Sequence, residues 1–449
     1  MKVLIVSHLY PTPTERRSLF VHDQARALCD AGVEVRVVSP TGWVPAAAGR
    51  LDARLGRRAA TPPHAVLDGI EVEYPRVPVL PGRLLERLAE LAPGRARQQA
   101  QLARGEGALP SGAAPPAPLS SRAGELYYVA LRRRLGAWRR EGFDLIHAHQ
   151  AMPDGAAARL LAADLGLPYV VTVHGVDVNV HLPARGALAA ATAQSLRDAA
   201  AVAAVSTAVA HRLSDVVAPA RLHVIGNGMD LTPSTSATPE IATAGIATGD
   251  VAVTADDGPL LLSVGHLIAS KGHEVALEAL ASLADRYPGA RYIVVGEGVL
   301  RDQLEARARE LGLAERVRFL GHLPHEQVLE LMSRATVFVL PSAPEGFGLV
   351  YAEAMTRGTP VIACRGEGPD DFVDDGRTGL LVPPRDPEAL AAALDRLLAD
   401  PQAAGEMGAA GKAAMADRTW AGNAAAMIEV YRAVVSGADA RPMTHASTP

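Results

Sequence analysis

Two carboxylates, Glu345 and Glu353, stand eight residues apart in the stretch Pro341-Ser-Ala-Pro-Glu345-Gly-Phe-Gly-Leu-Val-Tyr-Ala-Glu353. An apolar run from Ala335 to Leu340 precedes them. The pattern predicts a strand, a turn and a helix, with Glu345 at the turn and Glu353 one to two turns inside. At about 100° per residue, eight steps do not return to the same helix face, so the two acids do separate jobs. Gly346 and Gly348 let the backbone come close to a ligand. The helix start they introduce, running from Phe347 into Leu349 and Val350, offers free N–H groups to an anion. A bare spacing of this kind more often belongs to a solvated loop and a helix-surface acid; the rest of the chain decides between the two.

A second element of the same form lies upstream, Leu261-Leu-Ser-Val-Gly265-His266-Leu-Ile-Ala-Ser-Lys271-Gly272. It reads as a strand, a glycine turn and a lysine at a helix entrance, which suits a diphosphate. Lysine occurs only at Lys2, Lys271 and Lys412 in a chain that otherwise takes its positive charge from arginine. A compact ammonium at that turn fits a phosphate contact. Val294-Val-Gly296-Glu-Gly298 forms a further strand-to-glycine turn. None of these is a Walker A sequence or a G-x-G-x-x-G fingerprint, and none follows the first strand, which argues against hydride transfer. Histidines and cysteines show no zinc spacing, so no metal site is expected.

These residues must be held by ordered elements. Val3–Ser7, Val33–Ser39, Ile70–Tyr74, Asp144–His149, Tyr169–His174, Ala201–Ser206 and Leu222–Ile225 read as strands with helices between them. The pattern restarts with strands at Leu260–Val264, Arg291–Val295, Val317–Phe319, Val337–Leu340, Pro360–Ala363 and Gly379–Val382. The expected fold class is α/β, two doubly wound Rossmann-like domains facing across a cleft. Residues 1–231 form the first domain, with a mobile insertion over 92–122. Residues 232–258 are a linker and 259–419 the second domain. A helix over 420–435 packs back on the first domain, and 437–449 is a disordered tail.

The chain of 449 residues carries a net charge of −5, unevenly spread. Residues 1–150 hold 21 basic against 14 acidic side chains, and the remainder 23 against 35. Arg83, Arg87, Arg95, Arg97 and Arg104, then Arg132, Arg133, Arg134, Arg139 and Arg140, supply much of the excess. Such a face is either a solvated helix surface or a contact for an anionic membrane. No run approaches the ~20 apolar residues of a membrane span. The N-terminus reads as a buried strand rather than a leader, and Cys29 and Cys364 as reduced core thiols, in keeping with a cytoplasmic protein.

Taken in order, these motifs resemble the retaining family 4 glycosyltransferases of the GT-B architecture, in the subgroup that assembles cell-surface polysaccharides. Further matches are Asp144-Leu-Ile-His-Ala-His149, Thr172-Val-His174-Gly-Val-Asp177, Val205-Ser206 and Asn227-Gly-Met-Asp230. The resemblance implies that Lys271 binds the donor diphosphate together with backbone groups around Phe347–Val350. Gly265, His266 and Gly296 belong to the same donor site. Glu345 contacts donor sugar hydroxyls near the reacting carbon, and Glu353 holds the ribose hydroxyls. His174 faces the donor sugar, supported by Asp177, with Ser18, His149 and Asn227 on the acceptor side. Taken alone, His174 is more often a satisfied histidine at a strand end.

The implied reaction is transfer of a glycosyl group from a nucleotide diphosphate sugar to a hydroxyl of a glycan, glycolipid or small molecule. It proceeds with retention and without cofactor or metal. The chain departs from the family pattern at His266 (usually Arg), Ser18 (usually Gly) and Gly226 (usually Pro). The family's late acid falls on Asp371. Two other readings stay open, a catalytically silent nucleotide-sugar-binding subunit and a nucleotide-sugar epimerase. A nucleic-acid partner is not expected; weak peripheral contact with an anionic membrane is.

Overall fold

The structure, a computed structural model, describes residues 1–14, 19–44, 53–77, 122–184, 186–229 and 258–437. Ser18, Arg83 to Arg104, nearly all of the expected insertion and linker, and the tail beyond 437 lie outside the described residues. The chain packs as two compact units. One takes in Met1–Ala204, Leu213–His223 and the chain from Ala424 on; the other takes in Val205–Arg212 and Val224–Asn423.

The first unit is built on strands β1 Lys2–Val6, β2 Glu34–Val38, β4 His64–Leu67, β5 Ile70–Glu73, β7 Leu145–His149, β8 Tyr169–Val173, β9 Ala201–Ala204 and β10 Leu222–Val224. They form one sheet in the order β10-β9-β8-β7-β1-β2-β5-β4. The interior pairs are parallel, and β4 runs antiparallel to β5. Two-residue strands β3 Thr41–Gly42 and β6 Arg76–Val77 pair separately. Val3, Leu4, Ile5 and Val6 are all fully buried. An apolar run without alternation marks a central strand covered on both faces, each side chain contributing about 1.5–3 kcal/mol by leaving water.

The second unit repeats the design with β11 Leu260–Val264, β12 Arg291–Val295, β13 Val317–Gly321, β14 Val337–Val339, β15 Val361–Cys364 and β16 Leu380–Val382. Its sheet is wholly parallel in the order β13-β12-β11-β14-β15-β16. Leu261, Tyr292, Val294, Val337, Val339 and Ile362 pack in its core with Leu277, Leu280, Leu390 and Leu394 from the covering helices. The expected α/β architecture is therefore present in both halves, with strand ends shifted by a residue or so. Antiparallel β4 and the short pair β3–β6 were not foreseen, because two to four residues carry too little period to stand out.

Strand order fixes where each sheet can hold a ligand. In the first sheet the connections leave β1 toward β2 on one side and return at β7 on the other. In the second they leave β11 toward β12 and return at β14. At such a reversal the loops after the two central strands are where this architecture takes a ligand, at the carboxyl ends. The loops concerned follow β1 and β7 in one unit, and β11 and β14 in the other. No helix among the described residues is long and apolar enough to cross a membrane.

Candidate active site

In the second unit the chain leaves β11 at Gly265, makes a single 3-10 turn over Ala269–Lys271 and enters the helix His273–Ser282 through Gly272 in the left-handed region, at φ 68°. A side chain at 272 would meet the carbonyl oxygen of Pro341 at 2.3 Å, so only glycine lets the two crevice loops lie together. Gly296, at φ 144°, has the carbonyl of Gly265 where a Cβ would stand, 1.9 Å away. The stem of Lys271 runs past Gly265, 3.7 Å from its Cβ position. The His266 side chain is exposed, while its carbonyl accepts from His273 Nε2 at 3.2 Å.

The β14 loop brings Glu345 onto Lys271. Lys271 Nζ donates to Glu345 Oε2 at 2.6 Å, and Ser342 Oγ donates to the same oxygen at 2.9 Å. The Gly346 N–H donates to Glu345 Oε1 at 3.1 Å. Lys271 keeps further N–H donors for a second anionic partner. Behind this pair, Glu367 Oε2 accepts from the Glu345 N–H at 2.8 Å and from Arg212 Nη2 at 2.7 Å. Ser206 Oγ donates to the Gly346 carbonyl at 2.6 Å. The loop's backbone is thus tied down on both sides of Glu345.

The helix Leu349–Thr356 begins at Gly348, φ 88°, with no side-chain cap. Helices Pro387–Ala399 and Pro401–Met415 differ: Asp386 and Asp400 accept from Ala389 and Ala403 N–H groups at 2.9 and 3.0 Å. An uncapped helix start keeps its N–H groups for an anion. Phe347 does not project outward: it is buried, 5.2 Å from the Phe372 ring. Its ring also lies 3.1 Å from where a Cβ at Gly226 would be, so a proline there would crowd it. Glu353 lies further along the helix, half-buried, and its pKa is raised to about 7 by burial, against the pull of Arg357.

In the first unit the corresponding loops bring His8 to Asp154. His8 Nδ1 and Asp154 Oδ2 are 2.7 Å apart, and the His8 N–H also reaches this fully buried carboxylate at 3.1 Å. Burial opposes charge on His8, but Asp154 outweighs it and raises the imidazole pKa. Beside them stand His147, His149 and His174. β7 and β8 run parallel with His149 opposite Thr172, so these rings share one face. His149 Nδ1 lies 3.0 Å from His174 Nε2, with the rings stacked at 5.3 Å. His147 bonds Thr172 Oγ1 through Nε2 at 2.7 Å and Tyr431 Oη through Nδ1 at 2.6 Å. Burial drives His147 and His174 down to about 3, and His149 well below the ordinary value, aided by repulsion from His174 on His147, from both neighbours on His149 and from His8 on His174. The cluster is neutral at physiological pH.

The remaining residues fall as follows. Asp177 accepts from the Met152 N–H and pairs with His181, both at 3.3 Å, and among the described residues makes no bond to His174. Asn227 is buried in the second unit, next to Gly226, whose carbonyl accepts from Asn423 at 2.8 Å. Asp371 Oδ2 accepts from the Thr207 N–H at 2.7 Å and caps the helix Thr207–Leu213, whereas Glu367 holds the Glu345 loop. Sequence reasoning missed Arg212, His8 and Asp154, and quoted Ser206, Ser342, Glu367 and His147 within motifs without giving them a role. Among the described residues no group of three or more His, Cys, Asp or Glu side chains could hold a metal ion.

Comparison with known proteins identifies the family and the fold. The family model for Glycosyl transferases group 1 matches residues 250–414, and that for Glycosyltransferase Family 4 matches residues 91–233. Glycogen synthase of Mycobacterium tuberculosis is 32% identical over 316 residues, 68% of this chain and 72% of that protein. D-inositol 3-phosphate glycosyltransferase 1 of Catenulispora acidiphila is 31% identical over 319 residues, 67% and 74% of the two chains. Among solved structures, sucrose-phosphate synthase from Thermosynechococcus elongatus superposes with a TM-score of 0.68 at 23% identity, over 98% of this chain and 100% of that one. Anabaena Alr3699/HepE, solved with UDP and glucose, gives 0.65 at 20% identity over 96% and 100%. Both likenesses establish the GT-B fold.

Proposed function

This chain belongs to glycosyltransferase family 4, the retaining nucleotide-sugar-dependent transferases of GT-B architecture, and from that premise we propose how its residues divide the work. Lys271 and the uncapped start of the helix Leu349–Thr356 take the diphosphate of the donor. As the glycosidic bond breaks, negative charge grows on the leaving phosphate, and a fixed ammonium and oriented N–H groups stabilise it. This arrangement supports transfer without a bound metal or cofactor. Glu345, held on three sides by Lys271, Ser342 and Gly346, orients donor sugar hydroxyls. Glu353 accepts from the ribose hydroxyls. His174, neutral and backed by His149, serves the sugar as a hydrogen-bonding group rather than a charge. The leaving phosphate takes the acceptor proton in a front-face transfer.

The acceptor is a hydroxyl of a glycan, a glycolipid or a small molecule. Work at the cytoplasmic face of a membrane is part of the proposal. Arg132, Arg133, Arg139 and Arg140 are exposed on consecutive short helices, with Leu126 and Val129 exposed beside them at 39% and 51%. Flotation with anionic vesicles tests this; protein left wholly in the soluble fraction would refute it.

The observation that carries the reading is the meeting of Lys271 and Glu345 at the crevice of the second sheet, beside an uncapped helix. A thermal-shift screen against nucleoside diphosphates and their sugars tests it, since a ligand of the folded state raises the melting point by mass action. One nucleotide series should stand out. Turnover lost in Glu345→Ala and His174→Ala, with wild type active, separates the enzyme from a silent binding subunit. Incubation with donor alone would reveal an epimerase through epimerised sugar.

A further inference from the structure

His149 and His174 share one hydrogen bond, Nδ1 to Nε2 at 3.0 Å. Both rings are neutral, so that bond contains one proton, and it lies on one ring or the other. If His174 supplies it, the single proton of His149 must sit on Nε2. His149 is 1% exposed, and its Nε2 has no hydrogen-bond partner among the described residues. That arrangement buries an N–H with nothing to receive it, which native structures avoid more strictly than an unused lone pair. If His149 supplies the proton instead, its Nε2 presents only a lone pair to its surroundings. His174 then accepts at Nε2 and carries its own proton on Nδ1.

We propose that His149 is a positioning residue that fixes His174 as the Nδ1–H tautomer, so that His174 meets the donor sugar as a hydrogen-bond donor. The second half of this statement rests on the proposed role of His174; the first half does not. The surroundings favour a fixed arrangement. The ring of His147 lies 4.4 Å from that of His149 and is itself held by Thr172 and Tyr431. Phe20 packs 4.8 Å from His174 on another side. Among the described residues no protein group takes His174 Nδ1. The ligand class is one that offers an acceptor oxygen, a sugar hydroxyl or ring oxygen. A group that must itself donate a proton to His174 is disfavoured.

The test is nitrogen NMR of histidine-labelled protein without substrate, His174 being assigned by the signal lost in His174→Asn. The expected spectrum shows a protonated Nδ1 and an unprotonated Nε2 for His174. In His149→Asp, read above the pH at which the buried carboxyl ionises, the neighbouring atom can only accept, and the His174 proton should move to Nε2. In His149→Asn the amide nitrogen stands where Nδ1 stood, and Nδ1–H of His174 should return. A wild-type His174 protonated on Nε2 overturns the proposal. So does a wild-type tautomer that persists in His149→Asp; if that variant does not fold, His149→Leu replaces it, with persistence counting the same way. Kinetics report on the second half separately. His149→Asp should lower kcat/KM for the donor about tenfold, the scale of one hydrogen bond, and His149→Asn should rescue it. The expected NMR pattern with unchanged kinetics would uphold the tautomer and refute the sugar-facing role of His174.

Discussion

The two sheets carry chemistry at the same topological point and treat charge in opposite ways. In the second sheet the loops after β11 and β14 deliver Lys271 to Glu345, a pair with side chains 21% and 12% exposed. In the first, the loops after β1 and β7 deliver His8 to Asp154, and the strand ends beside them hold three histidines that burial keeps neutral. One crevice sets an ammonium against a carboxylate; the other, beside the His8–Asp154 pair, buries three imidazoles until they act only through hydrogen bonds. Lys271 pairs with a carboxylate and keeps partial access to water. Among the described residues His147, His149 and His174 have no carboxylate bonded to them, and desolvation wins; His8, bonded to Asp154, goes the other way. The difference suits a reaction in which charge develops on a phosphate while a sugar must be oriented without adding charge.

Substitutions on each side test this contrast. The largest effect belongs to Lys271→Ala, which should lower kcat by roughly 10²–10³, the scale for loss of one group that stabilises developing negative charge. Near-normal turnover would show that the second crevice does not use its charge. Next, Glu353→Ala should raise the donor KM by roughly 10- to 100-fold, through lost hydrogen bonds to a charged acceptor. Glu353 holds its proton to about pH 7, so donor KM should improve as pH rises through that value, and Glu353→Gln should flatten the step.

The first crevice predicts a stability slope. His147, His149 and His174 are neutral when folded but take up protons near 6.5 when unfolded, opposite in sign to His8. The stability they confer is complete above that value and is lost as pH falls from about 6.5 toward about 3. Melting curves should show this decline, and His147→Leu should make it shallower; an equal slope in the variant would contradict the burial argument. The smallest effect is expected of Tyr431→Phe, which removes one buried hydrogen bond and should cost about 1 kcal/mol in denaturant unfolding.

How much of this was legible in the sequence follows from distance along the chain. Lys271 and Glu345 each sit in a local strand–glycine–helix pattern, so their positions could be read. Their meeting follows from parallel-sheet topology, because the strands before them are the central pair. The supports could not be read. Arg212 reaches Glu367 across 155 residues and Ser206 reaches Gly346 across 140, and each is by type an ordinary surface or loop residue. His8 and Asp154 are 146 apart, and Tyr431 meets His147 from 284 residues away. Asp371 was taken as the late acid of the family pattern, yet it caps a helix, and Glu367 four residues earlier holds the site loop. Sequence order cannot separate two such neighbours; only the direction of the backbone after β15 does.

The most direct measurement is calorimetric titration of wild type and Lys271→Ala with a nucleoside diphosphate and with the matching monophosphate. Wild type should bind the diphosphate more tightly, and this preference should collapse toward equality without the ammonium. A preference for the second phosphate that survives unchanged in Lys271→Ala would contradict it.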